Sequence, residues 1–187
     1  EDVKLTGDVA VKRYTRRFDG VELDILEVPR NEIVAALGAL PASARQAIES
    51  AKANIEAFHE AQRPTDIEVE TMPGVVCRRL PKPLQSVGLY VPGGTAPLVS
   101  TVLMLAIPAA LAGVKERILV SPPGADGKID QAVLAAAEIC GVTRVFCMGG
   151  AQAIAALAFG TETVSKCAKI FGPGNAYVAM AKSLVSA

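Results

Sequence analysis

The stretch VGLYVPGG (Val87–Gly94) decides the fold of this 187-residue chain. A short apolar run that ends in Pro-Gly-Gly is typical of a buried strand closed by a tight turn. Similar short runs, in which one basic residue is followed by apolar residues, recur at 117–120, 144–148 and 169–171. Helical patterns follow these four runs at 99–112, 129–140, 151–159 and 175–185. Strands that alternate with helices of about ten residues predict a parallel sheet with right-handed crossovers.

The residues before Gln85 have a different character, because charges are frequent there. Their spacing predicts helices at 3–18, 31–40 and 41–62, a weak strand at 21–28, and a hairpin of 67–71 with 75–80. We therefore predict an α/β protein in which residues 85–187 form a Rossmann-like, three-layer α/β/α domain. A helical and hairpin N-terminal segment, residues 1–84, precedes it.

Composition excludes several classes of protein. Lysine plus arginine equals aspartate plus glutamate, 19 against 19, and aromatic residues make up 4%, so nothing favours a nucleic-acid partner. Residues 83–114 carry no charge, but Pro92, Gly93, Gly94 and Pro97 interrupt them, which argues against a membrane span. The amino terminus has no signal-peptide pattern, so we expect a cytoplasmic protein.

The metal-binding and nucleophilic residue types are sparse. Four cysteines occur without C-x-x-C spacing, which predicts reduced, partly buried thiols and not a disulfide frame or metal site. His59 is the sole histidine and fits an ordinary helix position. Neither a zinc site nor an acid–base pair for alcohol oxidation is visible.

Glycine follows every predicted strand of the parallel sheet. The four loops lie at 92–94, 122–124, 149–150 and 172–174. The carboxyl ends of parallel strands share one edge, where open α/β sheets bind ligands, and helix N-termini there favour anions. This edge predicts a phosphate-bearing ligand such as a dinucleotide. The alternative is that the glycines serve only tight turns.

Three polar side chains on this edge are candidate ligand contacts: Tyr90, Gln152 and Asn175. Their structural alternatives are a packed aromatic, a solvated helix residue and a helix cap. The usual G-x-G-x-x-G fingerprint is absent, because Tyr177 replaces the third glycine of the motif that begins at Gly172. No acidic residue ends the second strand to hold a ribose, so any dinucleotide is bound in a non-standard way.

Three long motifs, at 87–104, 149–161 and 169–175, resemble the histidinol dehydrogenase family. The resemblance implies oxidation of L-histidinol to L-histidine in two NAD-dependent steps, by a zinc-dependent homodimer with two Rossmann-like domains. By motif, it places the NAD contacts on Tyr90, Gln152 and Asn175.

The family's zinc ligands (a glutamine, two histidines and an aspartate) and its proton-handling Glu-His pair have no counterpart in this sequence. We therefore expect this chain, as the amino-terminal part of such an enzyme, neither to bind catalytic zinc nor to turn over histidinol by itself. A non-catalytic nucleotide-binding or dimerisation module is the main alternative. A scaffold whose glycine loops only make turns is a third.

Overall fold

The computed structural model describes residues 1–94 and 96–186. The helices are α1 (Asp2–Asp19), α2 (Arg30–Ala39), α3 (Ala42–Glu60), α4 (Val99–Leu111), α5 (Gln131–Ile139), α6 (Gly150–Phe159) and α7 (Ala176–Ser186). The strands are β1 (Ile67–Met72), β2 (Val75–Arg79), β3 (Ser86–Tyr90), β4 (Glu116–Ser121), β5 (Arg144–Cys147) and β6 (Lys169–Phe171).

The main sheet has the order β5-β4-β3-β6, and every strand pair in it is parallel. The chain builds outward from β3 through β4 to β5, and then crosses back to place β6 on the other side of β3. This is the order of the first four strands in the doubly wound dinucleotide-binding fold. The predicted parallel sheet is confirmed, and its strand order has a topological switch point between β3 and β6.

Helices cover both faces of this sheet, as the predicted three-layer architecture requires. Alternate strand residues such as Leu89 and Leu119 pack under α4 and α5. Their neighbours Ile118, Val120 and Phe146 pack under α1, α6 and α7. Burial on both faces explains why these strands read as continuous apolar runs and not as alternating ones.

The N-terminal helices contribute to both outer layers. Helix α1 packs against α6, whereas α2 packs against α5 and α3 against α4. The β1–β2 hairpin stands apart, since every residue from 61 to 85 is exposed. Division of the chain into two domains near residue 85 stays a prediction.

Helix α1 is broken near its start, although its spacing predicted one continuous helix. Gly7 has φ +51° and ψ −130°, and the amide of Asp8 behind the break donates to Oε2 of Glu162 at 2.7 Å. This bond lowers the pKa of the Glu162 carboxyl. A carboxylate that sequence alone places on the surface therefore caps the second part of α1.

The free edge of β5 is covered by the segment 21–28, which was wrongly predicted to be a strand. One antiparallel bridge is formed there. The Val28 amide donates to the Val145 carbonyl at 2.8 Å, and the Cys147 amide donates to the Leu26 carbonyl at 2.7 Å. Pairing stops after these bonds because Pro29 follows and turns the chain into α2.

A bidentate ion pair holds the segment 21–28 against β5. Arg144 donates from Nε and Nη2 to the two carboxylate oxygens of Glu27, at 2.8 and 2.7 Å. Its Nη2 also donates to the Thr163 carbonyl at 2.8 Å, and its guanidinium lies 4.8 Å from the centre of the Phe146 ring. The hydrogen bonds from Arg144 lower the pKa of Glu27.

Replacing Arg144 with lysine tests this fastening. Lysine keeps the charge but loses the planar fork that reaches both oxygens of Glu27 and the Thr163 carbonyl. We expect Arg144→Lys to lower the free energy of unfolding by about 1–2 kcal/mol in urea denaturation. Arg16→Lys is the matched control: its exposed pair with Glu22 spans 3.4 Å, and we expect a change below about 0.5 kcal/mol.

The same pair has a defined pH dependence. Because the folded-state pKa of Glu27 is lowered, its contribution is fully present above the unfolded value of 4.5 and is lost as pH falls through the folded value. The stability difference between wild type and Glu27→Gln should therefore shrink between neutral and strongly acidic pH. Equal losses for both arginine variants, or a difference that is independent of pH, would contradict this role.

Candidate functional site

The carboxyl-terminal edge of the sheet at the switch point holds the candidate site. After β3 the chain turns toward α4 on one face, and after β6 it turns toward α7 on the other. Loops that leave adjacent strands in opposite directions open a crevice between them, and open α/β sheets bind ligands there.

Tyr90 ends β3 and is 3% exposed. Its hydroxyl accepts a hydrogen bond of 3.1 Å from the amide of Gly150, the first residue of α6. Burial raises the pKa of this phenol, and the carboxylate of Asp19 raises it further. Tyr90 is thus a packed aromatic, as one interpretation predicted, and it also ties the end of β3 to the start of α6.

Gln152 lies in the first turn of α6 and is only 5% exposed, so its interpretation as a solvated helix residue is wrong. It is buried because α6 is covered by the sheet on one side and by α1 and α7 on others. Its Nε2 is fully buried and has no hydrogen-bond partner among the described residues. A buried amide donor without a partner costs about 1–3 kcal/mol, a penalty that a ligand acceptor would remove.

Asn175 precedes α7 and is exposed. Its Oδ1 accepts from the amide of Val178 at 3.0 Å, and its carbonyl accepts from the amide of Ala179 at 2.9 Å. The predicted helix cap is therefore confirmed. Capping uses the side-chain oxygen and leaves the Nδ2 group available to a ligand.

Gly172 joins these residues into one junction. It has φ +124°, and a Cβ atom added there would lie 2.0 Å from the Tyr90 carbonyl oxygen. The loop after β6 thus rests directly on the backbone of β3. Tyr90 consequently contacts both Gly172, three residues before Asn175, and Gly150, two residues before Gln152.

The other glycine loops interlock through one proline ring. A Cβ added to Gly93 would lie 2.7 Å from Cγ of Pro122, and one added to Gly149 would lie 2.5 Å from Cβ of Pro122. These two glycines are explained by close packing of three loops, as the purely structural interpretation predicted. They make the edge compact whether or not a ligand binds.

A cavity of about 1410 Å³ opens beside these loops on the α2 and α5 side. Its walls come mainly from residues 20–29, α2, and the loops at 92–94, 96–98 and 121–131. Tyr90, Gln152 and Asn175 do not line it. Sequence reasoning missed this cavity because it depends on how the segment 20–29 folds over the sheet edge.

Sequence reasoning also missed Lys182. This α7 residue donates from its ammonium to the Gly172 carbonyl, and burial lowers its pKa. It comes seven residues after Asn175, which corresponds to two helical turns. Helical side chains lean toward the amino terminus, so this spacing was the available signal.

The described residues hold no group of three or more His, Cys, Asp or Glu side chains arranged for a metal ion. Cys77 is exposed, whereas Cys140, Cys147 and Cys167 are buried, and all four are free thiols. Burial raises the pKa of Cys140 to about 11 and those of Cys147 and Cys167 to about 12. These buried thiols stay protonated at neutral pH and are poor nucleophiles.

None of the helices in the described part of the chain has the length and apolar character needed to cross a bilayer.

Comparison with known proteins identifies the family. The family model described as histidinol dehydrogenase matches residues 1–187. The chain belongs to the histidinol dehydrogenase family. A histidinol dehydrogenase from Xylella fastidiosa (strain Temecula1) is 54% identical over 97% of the chain, and one from Mannheimia succiniciproducens is 54% identical over 100%. The crystal structure of histidinol dehydrogenase from Elizabethkingia anophelis has a TM-score of 0.95 and 45% identity over 99% of the chain.

This chain spans less than half of the length of these family members. It covers 42% of the Xylella and Mannheimia histidinol dehydrogenases and 43% of the Elizabethkingia chain. The TM-score shows that the described fold is the one that a histidinol dehydrogenase uses over this part of its length.

The junction at Gly172 can be tested by substitution. We expect Gly172→Ala to lower the free energy of unfolding by about 3 kcal/mol or more, because its Cβ would collide with the β3 backbone at a positive φ. Gly94→Ala, on the same edge, is the control, since its Cβ would lie 3.8 Å from the nearest atom and should cost little. Thermal or urea unfolding measures both. Equal stability of the two variants would show that the loop does not rest on β3.

Proposed function

We propose that this chain carries the NAD-binding site of a histidinol dehydrogenase, the enzyme that oxidises L-histidinol to L-histidine in histidine biosynthesis. Family membership and the switch point between β3 and β6 support this proposal. The observation that carries it is the unpartnered Nε2 of Gln152, which is buried at the start of α6, close to the Gly150 residue whose amide binds the Tyr90 hydroxyl. This donor lacks an acceptor, and a dinucleotide would supply one.

The residues of the junction fit the parts of such a ligand. The amides of Gly174, Ala176 and Tyr177 have no hydrogen-bond partner among the described residues, and they lie at the positive end of α7. Unpaired amides at a helix N-terminus bind phosphate oxygens. In this proposal Tyr90, Gln152 and Asn175 contact the ligand. Asn175 donates from Nδ2 and Gln152 from Nε2, and Tyr90 also holds the two loops together.

These residues would hold NAD, which would supply the hydride acceptor for each oxidation step. The described residues hold no group of three or more His, Cys, Asp or Glu side chains that could take a zinc ion, and the role proposed for them is to bind and orient the dinucleotide. We propose that the zinc ligands and proton-handling groups belong to the rest of the longer family chains. The homodimeric assembly and the cytoplasmic location are part of the same proposal and rest on the sequence.

An NAD titration by calorimetry tests the proposal. We expect the wild-type chain to bind, and the double variant Gln152→Ala with Asn175→Ala to bind at least about tenfold more weakly, because two ligand hydrogen bonds are lost. The matched control is Gln46→Ala with Asn54→Ala, which truncates the same two residue types on the exposed surface of α3. This control should leave the affinity unchanged.

Capping and binding by Asn175 can be separated with Asn175→Asp. Aspartate keeps the acceptor for the Val178 amide, so stability should be retained, but its negative charge would repel a diphosphate. Weakened NAD binding at unchanged stability is the expected result. A folded wild-type chain that binds no NAD would favour the scaffold interpretation, and equal binding by the double variant would place the ligand elsewhere.

A further inference from the structure

Lys182 is the charged side chain that reaches the candidate site from the middle of α7. Its ammonium donates to the carbonyl of Gly172, the residue that rests on the Tyr90 backbone. The carbonyl of Gly172 belongs to the peptide that leads into Pro173 and onward to the unpaired amides at the start of α7. The bond therefore fixes the loop from which those amides project.

The charge of Lys182 has no counter-ion in the described part of the chain. None of the ion pairs formed there involves it, and the lowering of its pKa comes from burial alone. A half-buried ammonium without an anionic partner is costly. Its ammonium holds the loop that leads to the unpaired amides at the start of α7, and the ammonium and those amides favour the same kind of ligand, an anion.

A second observation points to a ligand at the same junction independently of charge. Gln152 is 5% exposed and its Nε2 lacks a partner among the described residues. Gly150 links Gln152 to Tyr90. Its amide donates to the Tyr90 hydroxyl, and a Cβ atom added to it would lie 2.6 Å from Oε1 of Gln152. A cationic donor on α7 and a neutral donor on α6 are therefore each linked to Tyr90 at the end of β3, the first through Gly172 and the second through Gly150.

We propose that Lys182 determines the specificity of this site for a diphosphate, by holding the Gly172 carbonyl with one N–H and donating to a phosphate oxygen with another. The proposal rests on the dinucleotide site proposed above and adds the residue that selects its anionic part. An ammonium has three donors, and the Gly172 carbonyl accepts one of them. Adenosine, which lacks phosphate, should not be affected by Lys182.

The experiment compares ADP-ribose with adenosine on the 187-residue chain by calorimetry. Lys182→Met keeps the aliphatic length and removes the charge and donors. We expect it to weaken ADP-ribose binding by about tenfold or more, as loss of a charge-assisted hydrogen bond predicts, and to leave adenosine binding within about twofold. Lys182→Arg keeps charge and donors and should recover most of the ADP-ribose affinity.

Lys169→Met is the matched control. Lys169 is exposed on β6 and lies 5.4 Å from the Phe171 ring centre, so this variant removes the same charge near the same sheet without touching the loop. ADP-ribose affinity should stay within about twofold of wild type. Inorganic diphosphate should compete with ADP-ribose in wild type, and competition as strong in Lys182→Met would overturn the proposal.

A measurement on wild type alone guards against a variant that does not fold. Acetylation mapped by mass spectrometry should show Lys182 protected by ADP-ribose at least about threefold more than Lys169. Equal protection overturns the role of Lys182, as does a Lys182→Met variant that binds ADP-ribose normally or loses adenosine to the same extent. Absence of any wild-type ADP-ribose or NAD binding would instead overturn the dinucleotide site itself, and the role of Lys182 with it.

Discussion

The contact between Gly172 and the backbone of Tyr90 is the constraint on which the candidate site depends. It sets the loop after β6 directly on the end of β3, at the point where the sheet reverses its direction of growth. A side chain at residue 172 would separate the two strands, because its Cβ would overlap the Tyr90 carbonyl oxygen. The placement of Asn175, the start of α7 and the ammonium of Lys182 all follow from this one close approach.

Most of the fold could be predicted from the sequence because strands β3, β4 and β5 of the main sheet are largely buried on both faces. Continuous apolar runs such as residues 87–91, separated by segments of helical spacing, specify a parallel sheet without tertiary information. The strand predicted at 21–28 was wrong because weak alternation of apolar and polar residues does not show how many residues pair with a neighbouring strand. Here Pro29 ends the pairing after a single bridge. The break in α1 at Gly7 could not be predicted, because the carboxylate that caps the helix behind it belongs to Glu162, 155 residues further along the chain.

Part of the candidate site could be predicted from the sequence. Residues at strand ends, such as Tyr90 and Asn175, can be placed on one edge from topology alone. Burial of Gln152 could not be predicted, because α1 and α7 must first pack around α6. Lys182 was missed for a similar reason: its sequence position shows which helix carries it, but only the assembled loop shows that its ammonium reaches the carbonyl of Gly172, ten residues earlier in the chain.

The β1–β2 hairpin divides the molecule into regions of very different local stability. Its strands pair with each other, while every residue from 61 to 85 is exposed and no core cluster includes them. A lone two-stranded ribbon is marginal in water, so it opens far more often than the sheet. Backbone amides of β1 and β2 should therefore exchange with solvent deuterium long before those of β3, and a protease should cut there while the α/β body remains folded.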